Sequence, residues 1–133
     1  MELARDKHVL YWLTSLVVLV LIMIIVGGLT RLTESGLSMV NWDPLMGIIP
    51  PMSKLAWIDL FNEYKLYPEF IIKNSSMTLS EFKYIFWWEY GHRVLGRVIG
   101  IAFILPLIYF GFKKYFNKKE FLIYGFLLLL GLM

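Results

Sequence analysis

Glu89, His92 and Arg93 lie close together at the start of a long apolar run. Residues three positions apart share one face of an α-helix, so the carboxylate of Glu89 and the imidazole of His92 should lie side by side. The apolar run that follows contains Arg97 and is long enough to cross most of a bilayer, where ionisable groups are costly and by default indicate function. The pattern therefore predicts a metal or metal-cofactor site at the membrane edge, with an acid–base group beside it.

Small residues continue the helical face that carries His92. Gly96 and Gly100 follow at steps of four, and glycine allows a flat macrocycle or a second helix to approach the backbone closely. An imidazole nitrogen can bind haem iron, and the guanidinium groups of Arg93 and Arg97 can bind propionates in a bidentate manner. These features are those of a haem site in which His92 is the metal ligand and the neighbouring residues hold the cofactor.

Each of these residues also has an ordinary structural interpretation. The two glycines can form a helix-packing surface, and the arginines can extend to the membrane interface. Glu89 can form a surface pair with Arg93, and His92 can serve as an interfacial anchor. The other histidine, His8, is predicted on the opposite side of the membrane, so a second axial ligand must come from further sequence or from a partner.

A second polar group, Arg31, Thr33, Glu34 and Ser35, follows the first apolar run. The predicted topology places it on the same side of the membrane as His92. It is either a polar collar over the site, in which Arg31 contributes to cofactor binding, or a set of caps and turn residues at the end of a helix. The spacing favours neither interpretation.

The composition is that of a membrane protein. Of the 133 residues, 59% are hydrophobic and 17% are aromatic, which is too apolar for an ordinary soluble domain. Nucleic-acid binding is not expected, because no basic stripe with interleaved aromatic residues occurs. The absence of cysteine excludes disulfides, cysteine-ligated zinc and iron–sulfur clusters within these residues.

The hydropathy and charge patterns predict an all-α, multi-pass topology. The predicted order is a cytoplasmic N-terminus at 1–8, a transmembrane helix at 9–29, an external loop at 30–93, a transmembrane helix at 94–112, a basic cytoplasmic loop at 113–120 and a third, truncated transmembrane helix at 121–133. A spanning helix needs about 20 apolar residues, and the first apolar run is too long for a secretory signal. Because lysines cluster in 113–120, that loop is assigned to the cytoplasm, which places residues 30–93 on the periplasmic side of a bacterial inner membrane.

The final apolar segment is too short to span a bilayer. We therefore expect the sequence to be a fragment that stops inside a third membrane helix. The alternative is a genuine short re-entrant tail.

The external loop carries signals for short amphipathic helices. Residues 41–44 and the pair at 50–51 are breakers, and Ser53 is a suitable N-cap for a helix through about Tyr64. The Tyr67–Pro68 step is predicted to end that helix.

A second helix start is predicted at Thr78. Glu81 follows three positions later, which makes a capping box. The helical pattern then continues through Gly91 into the second membrane helix, where Pro106 is expected to cause a kink.

Four stretches of the sequence resemble haem A synthases of the mitochondrial and alphaproteobacterial class. They are residues 27–39, 68–70, 77–83 and 88–97, and the similarity covers most of residues 10–112. The resemblance implies an integral membrane protein of eight helices in two related four-helix halves, with a haem site in each. This chain would form part of one half-bundle, a transmembrane helix bundle with a long external loop.

The resemblance also implies an activity. Haem A synthases oxidise a methyl group of haem O to the formyl group of haem A for cytochrome oxidase assembly, and their essential Glu-x-x-His element maps onto Glu89 and His92. The resemblance therefore implies that these two residues are catalytic, and we expect Glu89 to position or protonate intermediates near the reacting methyl group. It implies haem B as a cofactor of the full-length protein, iron bound by His92, and haem O as the substrate. Expected partners are a haem O synthase, an electron donor such as a ferredoxin, membrane lipid and, in a homo-oligomer, a second copy.

Two other functions remain open at this stage. A non-enzymatic b-type haem-binding subunit that transfers electrons would also use His92 as a ligand but would tolerate Glu89→Gln. A structural assembly subunit would tolerate the loss of His92. Because the other histidines of the family lie in later helices, we expect these 133 residues alone to be inactive and to bind haem poorly.

Overall fold

The computed structural model describes residues 2–39 and 48–132, with side chains for 7–39 and 48–131. The described part is helical and contains no strand. Its helices are α1 (Glu2–Leu32), α2 (Lys54–Tyr64), α3 (Pro68–Ile72), α4 (Leu79–Phe112) and α5 (Lys118–Leu132). The predicted breakers at 41–44 lie outside the described residues. The chain divides into two compact units, one formed by Met1–Ile22 with Gly96–Met133 and the other by Met23–Leu95.

Two of the helices are long and apolar enough to span a membrane. They cover Lys7–Leu32 in α1 and Leu79–Phe112 in α4, and the predicted membrane segments 9–29 and 94–112 lie inside them. Many of their apolar side chains are exposed to the surroundings of the protein, as lipid-facing helices require. The expected all-α membrane architecture is confirmed at this level.

Helix α2 begins as the sequence predicts. The Ser53 hydroxyl accepts a hydrogen bond from the backbone N–H of Ala56 at 3.1 Å, which satisfies a donor in the first turn. The buried face of α2 packs against the first turns of α4. The core of this unit is aromatic and is formed by Trp57, Phe61, Tyr64, Phe82, Ile85 and Phe86.

A short helix that the sequence analysis did not predict follows α2. Helix α2 ends at Tyr64, before the Tyr67–Pro68 step, but Pro68 then opens α3 at its first position. Proline is suited to the first turn because its fixed φ is helical and it lacks an N–H that would be unpaired there. The same residue therefore follows the end of one helix and begins the next.

Helix α4 starts with the predicted capping box. The carboxylate of Glu81 accepts hydrogen bonds from the backbone N–H of Thr78 at 2.7 Å and from its hydroxyl at 2.8 Å, and the Thr78 hydroxyl accepts from the Glu81 N–H. The helix continues through Gly91 and past Pro106 without a break. The predicted kink at Pro106 remains a prediction.

Helix α5 begins three residues before the predicted segment, at Lys118. Asn117 and Glu120 form a reciprocal cap, in which each backbone N–H donates to the other side chain at 2.8–2.9 Å. The end of the basic stretch 113–120 is therefore the first turn of a helix.

The other compact unit has its own aromatic core. The indole N–H of Trp12 donates to the backbone carbonyl of Ala102 at 2.8 Å, and the Trp12 ring makes edge contacts with Phe103 and Phe110 at 5.5 and 5.6 Å between centroids. A buried indole N–H needs such an acceptor. These contacts join the N-terminal part of α1 to the C-terminal half of α4 inside this unit.

Candidate functional site

A cavity of about 710 Å³ lies within the unit formed by Met23–Leu95. Its walls come from the end of α1, the turn after it, the region of α3 and the middle of α4. The lining residues are Gly27, Thr30, Arg31, Glu34, Gly36, Leu37, Glu69, Lys73, Glu89, His92 and Arg93. The volume is within the range of sites that hold a small molecule or cofactor.

The first wall is built where α1 ends. The Thr30 and Thr33 hydroxyls donate to the carbonyls of Val26 and Leu29, one helical turn earlier, and the Ser35 N–H donates to the Thr30 carbonyl at 2.9 Å. The bonds to the carbonyls of Leu29 and Thr30 satisfy acceptors in the last turn of α1, which have no partner inside the helix. For Thr33 and Ser35 the structural interpretation therefore accounts for their positions.

The turn then requires an unusual backbone conformation at Glu34, whose φ is 51°. A left-handed conformation is costly for a residue with a side chain, and here it directs the chain back towards α4. The exposed carboxylate of Glu34 faces Lys73 at 4.0 Å, and Lys73 also pairs with Glu69 at 3.2 Å. The hydrogen bond that Lys73 donates to the Glu69 carboxylate raises the pKa of Lys73.

Glu89 is the most firmly held side chain of the site. It is only 3% exposed. One oxygen, Oε2, accepts hydrogen bonds from the Ser38 N–H at 2.7 Å, the Ser38 hydroxyl at 2.7 Å and the Met39 N–H at 2.8 Å. The other, Oε1, accepts from Nη2 and Nε of Arg93 at 2.6 and 3.1 Å. A buried carboxylate requires this kind of compensation, because removing a charge from water is costly.

His92 lies one turn further along α4 and is in the opposite situation. Its imidazole is half-buried, lines the cavity, and forms no hydrogen bond or ion pair with any other residue in the described part of the chain. It packs against Gly27 of α1, where an added Cβ would lie 3.1 Å from Nε2. The absence of a side chain at Gly27 therefore makes room for the imidazole.

Two arginines face the same cavity but differ in their ion pairs with the rest of the protein. Arg31 is exposed in the last turn of α1 and has no ion pair with the other residues that the structure describes. Arg93 already donates two hydrogen bonds to Glu89. Arg31 is therefore the arginine that is freer to bind an anionic group.

The structure brings together four of the six predicted site residues. Arg31, Glu89, His92 and Arg93 all line the cavity. Gly96 and Arg97 follow on α4 but belong to the other compact unit, and their part in a site remains a prediction. Among the residues that were not predicted are Gly27, which lines the cavity, and Ser38, which donates to Glu89.

The cavity walls carry residue types that can hold a haem. In the described residues no group of three or more His, Cys, Asp or Glu side chains could hold a metal. A haem needs only axial ligands from the protein, because its own nitrogens supply the remaining coordination. The imidazole of His92 and the guanidinium of Arg31 are the chemical types that bind iron and propionate.

The fold and the cavity together define a class of protein: a helical membrane protein whose imidazole and guanidinium groups face one cavity and could hold a haem. Residues 10–133 match the COX15-CtaA family, described as cytochrome oxidase assembly proteins. The chain belongs to this family, whose members are membrane proteins.

The chain is also similar to proteins named heme A synthase in several bacteria. It is 55% identical to that of Rhodopseudomonas palustris (strain BisB5) over 80% of this chain and 29% of the relative. It is 51% identical to that of Nitrosospira multiformis over 85% and 32%, and 50% identical to that of Rickettsia bellii (strain OSU 85-389) over 94% and 37%. The chain thus spans about a third of the length of the curated relatives it matches. No solved structure matches it.

Proposed function

We propose that the protein to which these residues belong is a haem A synthase, an oxidoreductase that converts a methyl group of haem O into the formyl group of haem A. One observation carries the proposal: the His92 imidazole lines a cavity of about 710 Å³ and has no partner in the described part of the chain. A polar ring left unpaired at a cavity wall is available to a ligand. The names of the relatives indicate which ligand to test.

In this proposal His92 binds haem iron and Arg31 binds a propionate. Both line one cavity, and guanidinium–carboxylate pairing suits the edge of a haem. Arg93 contributes through the part of its guanidinium that Glu89 does not occupy, and Glu89 belongs to the site as part of the cavity wall. Gly96 and Arg97 are proposed as further cofactor-binding residues.

The cofactor and partners follow from the same chemistry. Haem B is proposed as the resident cofactor of the intact protein and haem O as the substrate; bound haem would supply redox-active iron. Oxidation of the methyl group to a formyl group requires an oxidant and one oxygen atom. The proposed electron donor, such as a ferredoxin, fits a reaction in which dioxygen is the oxidant and the donor supplies the electrons that reduce its second oxygen atom to water. Haem O synthase would supply the substrate. We place the protein in the bacterial inner membrane with residues 30–93 on the periplasmic side. We propose that the intact protein forms a homo-oligomer.

The experiment is a haem extraction. The intact gene is expressed in cells that make haem O but not haem A, and extracted haems are separated by chromatography with mass detection. We expect a new species with the mass of the formyl product. His92→Ala should abolish it, whereas His8→Ala, which removes an exposed imidazole outside the site, should not.

Two results would contradict the proposal. Haem O alone, with the protein and haem B present in the membrane, would favour a b-type electron-transfer subunit. If His92→Ala forms haem A at the wild-type level, His92 is not required for the reaction and its assignment as the iron ligand is wrong.

A further inference from the structure

The Glu89 carboxylate is already fully used by the protein. Five donors point at its two oxygens, three from Ser38 and Met39 and two from Arg93. An ionised carboxylate offers about four lone-pair sites. The Glu89 carboxylate therefore has no acceptor site left for a substrate. The donors from the turn lie 50 and 51 positions away in the sequence.

We propose that Glu89 and Ser38 are a positioning pair that fixes the segment 35–39 against α4 as one wall of the cavity. This inference rests on the proposed function and deepens it. Glu89 acts through the backbone of Ser38 and Met39 rather than on the substrate itself. Ser38, which was not predicted as a site residue, is then as much a part of the site as Glu89.

The backbone amides carry the argument. Two consecutive N–H groups, from Ser38 and Met39, converge on one carboxylate oxygen at 2.7 and 2.8 Å. Ser38 is 1% exposed, so without Glu89 its N–H would be buried and unpaired, which is costly. The carboxylate therefore determines the local course of the chain from Ser35 to Met39.

The Ser38 hydroxyl adds a second link. It lies 2.7 Å from Glu89 Oε2 and 3.1 Å from the Ser35 carbonyl, and its single hydrogen can serve either acceptor. Gly36 and Leu37, between the two serines, line the cavity. Release of the pair would therefore move part of the wall that faces His92.

Amide hydrogen exchange on the intact protein, purified from cells that make no haem O, tests the positioning role without substrate. In Glu89→Ala and Glu89→Gln, peptides containing residues 38 and 39 should exchange faster by on the order of 10- to 100-fold, since a hydrogen bond to a charged group is lost. Ser38→Ala should give a smaller increase. Glu63→Gln and Ser80→Ala, which change the same residue types at exposed positions, should leave these peptides unchanged.

Haem A formation by the same variants separates positioning from direct chemistry. We expect Ser38→Ala to lower haem A yield in proportion to its faster exchange, with Ser80→Ala at the wild-type yield. If Glu89→Gln loses haem A while residues 38 and 39 exchange at the wild-type rate, Glu89 acts directly and the inference is overturned. If the wild type makes no haem A, the proposed function fails, and the exchange result still decides the structural role of Glu89.

Discussion

Phe82 should be the residue whose truncation most weakens the aromatic core of the unit that contains the site. Its side chain is fully buried, with ring centroids 5.1 Å from Phe61 and 5.0 Å from Tyr64. Phe→Ala in a packed core costs about 3–5 kcal/mol through lost transfer free energy and the cavity left behind. At about 1.4 kcal/mol per factor of ten, this corresponds to roughly 100-fold to several thousand-fold more local opening.

Native-state proteolysis of the membrane-reconstituted protein measures this opening. Thermolysin cleaves before large apolar residues, so cleavage inside α2 at Phe61 requires α2 to leave α4. When opening is rapid compared with cleavage, the cleavage rate follows the population of the open form. We expect the rate in Phe82→Ala to rise by at least about 100-fold.

Tyr84→Ala is the matched control, because it removes an aromatic ring from the same helix at a position that is 58% exposed. It should change the cleavage rate by less than about threefold, as exposed substitutions usually do. An increase of less than about tenfold in Phe82→Ala, or equal increases in both variants, would refute the assignment of the α2–α4 core.

Two further predictions test the neighbourhood of the site. Gly27→Leu should displace the His92 imidazole and cost about 1–3 kcal/mol of stability through overpacking. Gly28→Leu, where an added Cβ meets no atom within 4 Å, should be nearly neutral. Peptide-resolved carbethoxylation of His92 should rise only in Gly27→Leu, and equal reactivity in both variants would contradict the contact between Gly27 and His92. Burial raises the pKa of Tyr64 above its ordinary 10.0, so the stability from its neutral form is present below pH 10 and is lost as pH rises through the raised pKa. In the wild type, thermolysin cleavage of α2 should therefore accelerate at alkaline pH. Tyr64→Phe, which also loses the hydrogen bond from Asn74, should remove this acceleration. An unchanged acceleration in the variant would exclude Tyr64 as its cause.

The features that the sequence predicted are local. The Ser53 cap and the Thr78–Glu81 capping box each depend on residues within three positions, and both form in the structure. The membrane segments were also predictable, because length and hydropathy are sufficient to identify them.

The features that the sequence did not predict depend on context. A proline after a helix is usually a terminator, and only the tertiary structure shows that Pro68 opens α3. The Asn117–Glu120 cap lies in a lysine-rich stretch whose charge indicated a loop.

The contacts of the candidate site also include local ones, which the sequence predicted, and long-range ones, which it did not. Helical spacing placed Glu89, His92 and Arg93 together, because it is set by a period of 3.6 residues. The contact of Ser38 with Glu89 spans 51 positions, and no local pattern encodes it. The close approach of Gly27 to His92 likewise depends on how α1 and α4 pack within their unit.

The separation between Ser38 and Glu89 has a consequence during synthesis. Glu89 follows Ser38 by 51 positions, and at about 5–20 residues per second the ribosome needs several seconds to add them. During that time α1 is already made, but the backbone amides of Ser38 and Met39 lack their acceptor. The cavity wall is therefore completed only after the first half of α4 has emerged, and a nascent chain interrupted before Glu89 has a membrane anchor but no pocket.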